Sequence, residues 1–346
     1  MYRQWVVFSM VGVLLFSGCG KNSGGEETRA GTAIGVFIPG VMSGSPVYEM
    51  LARGAREAVE QYNAGAGQNA AELTVIEGGY NQAEWETKVT AMAASGSYDL
   101  IVSSNPSLPD IVSRVSVKFP DQYFLLLDGE LPGNTKVYTL RYNQREQAYM
   151  AGYIAALETE AALAGSDRPR RVGLVAAQEY PAMNNVILPG FVEGARAVHP
   201  GYEADFRIVG NWYDAAKAAE LAAEMIHSGV RVVLCIAGGA NEGVLQTASQ
   251  EGARVVWFDT NGYSIRPGTV IGSAVLYQDA AAYNQILRYL EGTLPFGTAE
   301  TLGVNNGYVD FIQDDPEYIK TVSPEIREKQ AAMIQRIRSG DLRLEP

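Results

Sequence analysis

Short runs of apolar, β-branched residues alternate along this chain with longer stretches whose apolar positions recur every three or four residues. The first kind fits strands and the second amphipathic helices. From residue 32 the pattern predicts strands over 33–38, 73–77, 98–103 and 123–128, separated by helices over 50–62, 83–94 and 109–119. Runs such as AIGVFI and YFLLLD do not alternate, so both faces of those strands should be covered. An extended piece at 137–140 ends in the polar knot Arg141-Tyr142-Asn143-Gln144. It leads into a helix on which Tyr149, Gly152, Tyr153 and Ala156 share one face. The alternation then restarts, with strands over 171–176, 202–209, 231–237, 253–259 and 270–275 and helices over 185–199, 215–227, 241–251 and 278–290. Asp214 should cap the helix that follows it and Gly229 should stop it. A short strand at 307–312 and a charged helix at 324–339 close the chain.

Strand–helix–strand order of this kind implies an α/β fold of mostly parallel sheets with right-handed crossovers. The pattern occurs twice, so two similar lobes are expected, joined at the segment 138–157. The first lobe is read as 32–140 plus about 264–295, and the second as 141–263 plus about 296–346. Two such lobes with chain crossings between them form a periplasmic-binding-protein type I arrangement, each lobe a sheet flanked by helices. In it a ligand sits between lobes that close by hinge motion.

Composition narrows the chemistry. At 346 residues, with 47% hydrophobic and 19% charged residues, the chain can bury a sizeable core and is not a disordered one. A formal net charge of −12 with no basic stripe gives nucleic acid nothing to bind. Two histidines and two cysteines cannot build a Cys/His metal centre, and no GxSxG elbow is present, so an enzyme is not expected. His199 and His227 read as structural, and Cys235, inside an apolar strand pattern, as a packed thiol. Residues 1–18 have Arg3 followed by an apolar run too short for a membrane span, as a secretion signal does. The run ends Leu15-Phe16-Ser17-Gly18-Cys19, which resembles a bacterial lipobox and makes Cys19 the expected lipidation site. Residues 19–31, Gly-rich and polar, read as a tether. Placement outside the cytoplasm, on a membrane reached through that lipid, follows from these two readings.

In open α/β sheets ligands meet the loops at the carboxyl ends of the strands. Here those loops cover 39–48, 78–82, 103–107, 128–130, 177–181, 210–214, 237–242 and 259–263. They are rich in Ser, Asn, Gly, Asp and aromatic residues, which suits a flat ligand with polar edges. Gly238 and Gly239 are expected to allow close backbone approach to an uncharged ligand. Trp212 is either a core anchor or a stacking wall. Asp259, at the end of an apolar strand, is favoured as an acceptor for ligand hydroxyls. Asp128 and Glu130 lie too near a turn to be singled out. Glu146 is assigned to the start of its helix, where a carboxylate suits the dipole.

Four stretches carry a family resemblance: Arg141–Ala156, Gly210–Lys217, Ala237–Val244 and the closing helix up to Leu342. They resemble the basic membrane protein family of substrate-binding lipoproteins, of which the purine nucleoside receptors are one type. The resemblance implies a monomeric receptor that hands a small molecule to an ABC permease and its ATPase, with no cofactor. It matches Asp259 to a ribose-binding aspartate and Trp212 to a stacking aromatic. The first loop departs from the nucleoside-binding pattern: it has no Asp or Asn, and Val47 stands at the phenylalanine. A lysine implied near Leu276 or Tyr277 is missing. These departures, with a Ser-Pro-Val-Tyr first loop, resemble the spirochaetal riboflavin-binding members. Riboflavin is therefore the expected ligand and a purine nucleoside the alternative. The expected ligand contacts are Ser45, Pro46, Tyr48, Asn105, Tyr142, Trp212, Gly238, Asp259, Asn261 and Tyr277, with Tyr263 nearby.

Overall fold

The computed structural model describes residues 31–66, 70–164 and 169–346. The signal-like segment, the tether and Cys19 lie outside the described residues. The described chain forms two six-stranded sheets, one per lobe. The first lobe opens with β1 (Thr32–Ile38), α1 (Pro46–Ala66), β2 (Ala71–Glu77), α2 (Trp85–Ala94) and β3 (Leu100–Ser104). It continues through α3 (Leu108–Lys118), β4 (Tyr123–Leu127) and β5 (Val137–Tyr142), after which α4 (Gln144–Leu163) crosses to the second lobe. There follow β6 (Arg171–Ala176), α5 (Leu188–Val198), β7 (Glu203–Ile208), α6 (Ala215–His227), β8 (Val232–Ile236), α7 (Asn241–Gln250), β9 (Arg254–Asp259) and β10 (Val270–Leu276). The chain returns through α8 (Gln278–Leu290) and β11 (Ala299–Leu302) to the first lobe, and ends in the second with β12 (Val309–Phe311), α9 (Pro316–Thr321) and α10 (Pro324–Arg338).

Strand order is β11-β5-β4-β3-β1-β2 in the first sheet and β12-β10-β9-β8-β6-β7 in the second. Pairing is parallel except for β12 against β10. Of the inner strands, β3, β8 and β10 are buried throughout, as unbroken burial on both faces requires, whereas β2 and β7 at the outer ends are only partly covered. Asp214 Oδ1 accepts from Lys217 N (2.9 Å), and Gly229 adopts φ +109°, so the cap and stop of α6 are as expected. Cys235 is a free, buried thiol. His199 Nδ1 accepts from Gly201 N (3.0 Å), and exposed His227 lies 3.5 Å from Glu251, so both have structural or surface surroundings.

The lobe boundaries need correction. β10 does not belong to the first lobe: its seven residues are all buried, and it sits between β9 and β12 in the second sheet. The return to the first lobe comes only with α8, which packs on α1. β11 then pairs with β5, so the first lobe reaches to residue 302. The three crossings are tied together. Asn143 N donates to Leu302 O (2.8 Å), Tyr277 N to Tyr308 O (2.9 Å), and Val304 N to Glu146 Oε2 (2.8 Å). Glu146 is thus structural, as expected, and burial raises its pKa against the lowering effect of that N–H.

Paired glycines bring helices into backbone contact. A Cβ on Gly152 of α4 would lie 1.9 Å from Phe191 O, and one on Gly194 of α5 would lie 2.0 Å from Tyr149 O. Neither obstacle is a flexible side chain, so the helices themselves would have to separate. Gly152→Ala is expected to lower stability by about 1–3 kcal/mol, read as a lower urea midpoint at unchanged slope. An unaltered midpoint would mean that α4 and α5 are not locked at this contact.

Candidate functional site

Because both sheets are mostly parallel and face each other across the three crossings, the carboxyl ends of their strands line one cleft. β4 and β9 hold the same place in their sheets, third in the strand order. Each ends in an aspartate. Asp128 has φ +58° and Asp259 φ +70°, and among the described residues these two alone, besides glycines, have positive φ. Left-handed backbone costs an ordinary side chain about 1–2 kcal/mol, less for Asp. It turns each carboxylate off the strand end and into the cleft. Strained residues of this kind mark functional positions more often than packing ones.

Burial, and then the charge of Asp259, push the Asp128 carboxyl up to about 7. Burial also pushes Asp259 up to about 6, against a hydrogen bond that stabilises its ionised form. That bond comes from Gln147 Nε2 to Asp259 Oδ1 (3.1 Å). The same amide nitrogen donates to Ala274 O (3.0 Å), and Gln147 Oε1 is buried without a partner. Both carboxylates remain partly reachable by solvent although protein encloses them. They lie on the floor of a nearly closed cleft and not in a dry core.

Aromatic side chains wall this floor. Tyr48 Oη donates to Pro39 O (3.0 Å) and accepts from Asn105 Nδ2 (3.2 Å), which fixes the ring. Burial pushes its hydroxyl up to about 12, and Asn105 opposes the shift. Burial raises the Tyr180 hydroxyl, and the charges of Asp259 and Asp128 add to the shift. Tyr142 is buried, and its hydroxyl donates to Gln278 Oε1 (3.3 Å), which also accepts from Ser104 Oγ (2.9 Å). Burial raises the Tyr142 hydroxyl, with the charge of Asp128 next among the causes. Trp212 is half-buried, and a Cβ on Gly238 would stand 3.2 Å from its ring. Gly238, at φ +59°, is therefore needed for the approach of Trp212. The Gly238–Gly239 turn takes a neighbouring indole where ligand approach was expected.

Ser45 and Pro46 occupy the start of α1. Ser45 O accepts from Tyr48 N (3.0 Å), so the pair orients Tyr48, and Pro46 is exposed at the first helical position. Three of the expected residues have partners of their own within the protein. Asn261 donates to Asp315 Oδ2 (2.9 Å) and accepts from Tyr263 N (3.1 Å), so its amide serves a turn against α9. Tyr277 stands at the N-cap position of α8, where its N donates to Tyr308 O (2.9 Å). Tyr263 is core, donating to Ile312 O (2.8 Å) and stacked near Tyr318. Asp128, Tyr180 and Gln147 are the cleft residues that the sequence reading left out. For Asp128 the missing signal was its equivalence to Asp259 in the repeated pattern. Two open hollows, one beside Tyr318 and Arg327 and one beside Tyr98 and Phe119, lie elsewhere and contain no cleft residue. Paired carboxylates and convergent loops locate the site better than those concavities do.

A floor of two acids within walls of tyrosine and tryptophan can accept hydrogen bonds and stack a flat ring. Solved structures of the same shape include an ABC transporter solute-binding protein from Aeropyrum pernix, at TM-score 0.75 and 21% identity over 91% of this chain and 93% of that one. A carbohydrate transporter solute-binding protein from Agrobacterium radiobacter, in complex with D-arabinose, has TM-score 0.63 at 14% identity over 86% and 100% of the two chains. These likenesses establish a type I periplasmic-binding-protein fold. The CD4+ T-cell-stimulating antigen of Listeria monocytogenes is 24% identical over 77% of each chain. The ABC transporter nucleoside-binding protein BmpA of Lactococcus lactis is 26% identical over 63% of this chain and 64% of its own. The Bmp family, described as ABC transporter substrate-binding protein PnrA-like, matches residues 32–343, and with that span covering both lobes and the whole cleft, the chain belongs to this family.

Proposed function

We propose that the cleft binds an uncharged aromatic ligand carrying several hydrogen-bond donors, and that this ligand is riboflavin. As an ABC substrate-binding protein the chain serves a permease and an ATPase with a small molecule on the extracytoplasmic side; the ligand's identity is the reading added here. The observation that carries it is the matched pair Asp128 and Asp259, each half-buried at the carboxyl end of the third strand of its sheet and each in the left-handed region. Two carboxylates call for donors at two edges of the ligand, such as a ring imide and a polyol chain. Tyr48, held by Asn105, Tyr180 and Trp212 would bound the ring. Near Leu276 or Tyr277, where the family resemblance implies a lysine, this chain has none, and Leu276 is buried. A purine nucleoside is the second reading, favoured by the likeness to the nucleoside-binding protein of Lactococcus lactis.

Lipid attachment at Cys19 is part of the same proposal: it would hold the lobes at the membrane face where the permease lies. Among the described residues no helix is long and apolar enough to cross a membrane. The ligand test is a fluorescence titration. The purified mature chain is expected to quench riboflavin and to yield a yellow extract on denaturation. A colourless protein that binds guanosine or inosine, and leaves riboflavin fluorescence unchanged, would replace the first reading with the second.

A further inference from the structure

We infer that Tyr80 and Tyr213 form an aromatic latch across the cleft mouth, which holds the lobes closed and sets how long a ligand stays. Tyr80 follows β2 in the first lobe, and Tyr213 follows β7 in the second. These are the equivalent outer strands of the two sheets. Their rings meet edge to face, with centroids 5.4 Å apart and planes at 88°. That is a favoured geometry for an aromatic pair. Both are largely exposed, at 70% and 64%, so neither belongs to the core of its own lobe.

Each ring is presented by a loop with fixed geometry. On the first lobe, Gly78 N donates to Ile38 O (2.7 Å) and Gly79 N to Gly40 O (2.8 Å). Trp85 Nε1 donates to Gly79 O (3.1 Å), immediately before Tyr80. On the second lobe, Asn211 Oδ1 accepts from Tyr213 N (2.9 Å) and Asp214 N (2.8 Å), and Asp214 then caps α6. Opening the hinge separates the two rings, while each loop keeps its internal bonds. The contact therefore stabilises the closed form only. It makes Tyr80 and Tyr213 determinants of ligand release that lie outside the floor and walls.

The test is a double-mutant cycle on Tyr80→Ala, Tyr213→Ala and the pair. Stopped-flow release of riboflavin is expected to accelerate about two- to tenfold in each single variant. The double variant should be no faster than the faster single, and Tyr80→Phe should behave as the unaltered protein. Thermal unfolding should be unchanged, because neither ring is in the core. In solution scattering the ligand-free Tyr213→Ala protein should show a larger radius of gyration than the unaltered protein. Single effects that simply add, or release rates and radii that do not change, would overturn the latch. The latch rests on the binding-cleft reading but not on the ligand chosen. If riboflavin fails to bind, guanosine serves in the same cycle, and if both fail, the scattering comparison alone decides.

Discussion

The double variant Asp128→Asn/Asp259→Asn is expected to bind riboflavin at least 100-fold more weakly than the unaltered protein. A hydrogen bond to a charged group contributes about 1.5–3 kcal/mol, and two are lost, so a total near 3 kcal/mol or more is the expectation. Asparagine is the informative replacement. It is among the residues most tolerant of positive φ, so the turns at +58° and +70° survive while the charge is removed. Asp259→Ala alone should cost about 1–3 kcal/mol. It also strands the Gln147 amide, which would keep only its bond to Ala274 O. Calorimetry on the unaltered protein, Asp128→Asn, Asp259→Asn and the double variant separates the two contributions. A double variant within a few-fold of the original affinity would remove both carboxylates from the ligand and leave the aromatic walls to explain binding.

Much of this molecule could be read before any coordinates. The apolar runs placed nearly every strand, and restarting the pattern after residue 157 gave two lobes. The failures share one cause: a strand's neighbours in space are not written in its own residues. Ala299–Leu302 is a four-residue strand with a single buried position, which leaves no periodic trace. The largely apolar β10 could have served either sheet, and only its pairing with β9 and β12 decides. The tyrosines show the same limit. Tyr48 and Tyr263 both sit next to strand-end loops, yet one reaches Asn105 across the cleft wall and the other turns into the core against Tyr318. Asp128 was set aside because an aspartate at a turn is ordinary. Its meaning comes from Asp259 occupying the matching place in the other sheet.

Ligand-free protein should be more stable at pH 5 than at pH 8, while its affinity for ligand should move in the opposite direction. Asp128 is raised from 3.8 to about 7 and Asp259 from 3.8 to about 6. An acid whose folded pKa lies above its unfolded one favours folding in its protonated form. Its contribution is full below about pH 4 and is lost as pH rises through the folded value. Taken at face value, three pKa steps at Asp128 amount to about 4 kcal/mol. Solvent still reaches the cleft floor, so about 2 kcal/mol between pH 5 and pH 8 is the expected change. Asp128→Asn should flatten most of that slope in thermal melts. A ligand that donates hydrogen bonds to carboxylates binds their ionised form, so affinity should climb over the same interval and binding should release protons. Affinity independent of pH between 5 and 8, in a protein whose stability does vary, would mean that the ligand does not touch the acids. At neutral pH the two charges on opposite lobes oppose closure of an empty cleft, and the Tyr80–Tyr213 contact favours it. Ligand donors relieve the first without disturbing the second, which is how occupancy would come to decide whether the lobes stay shut.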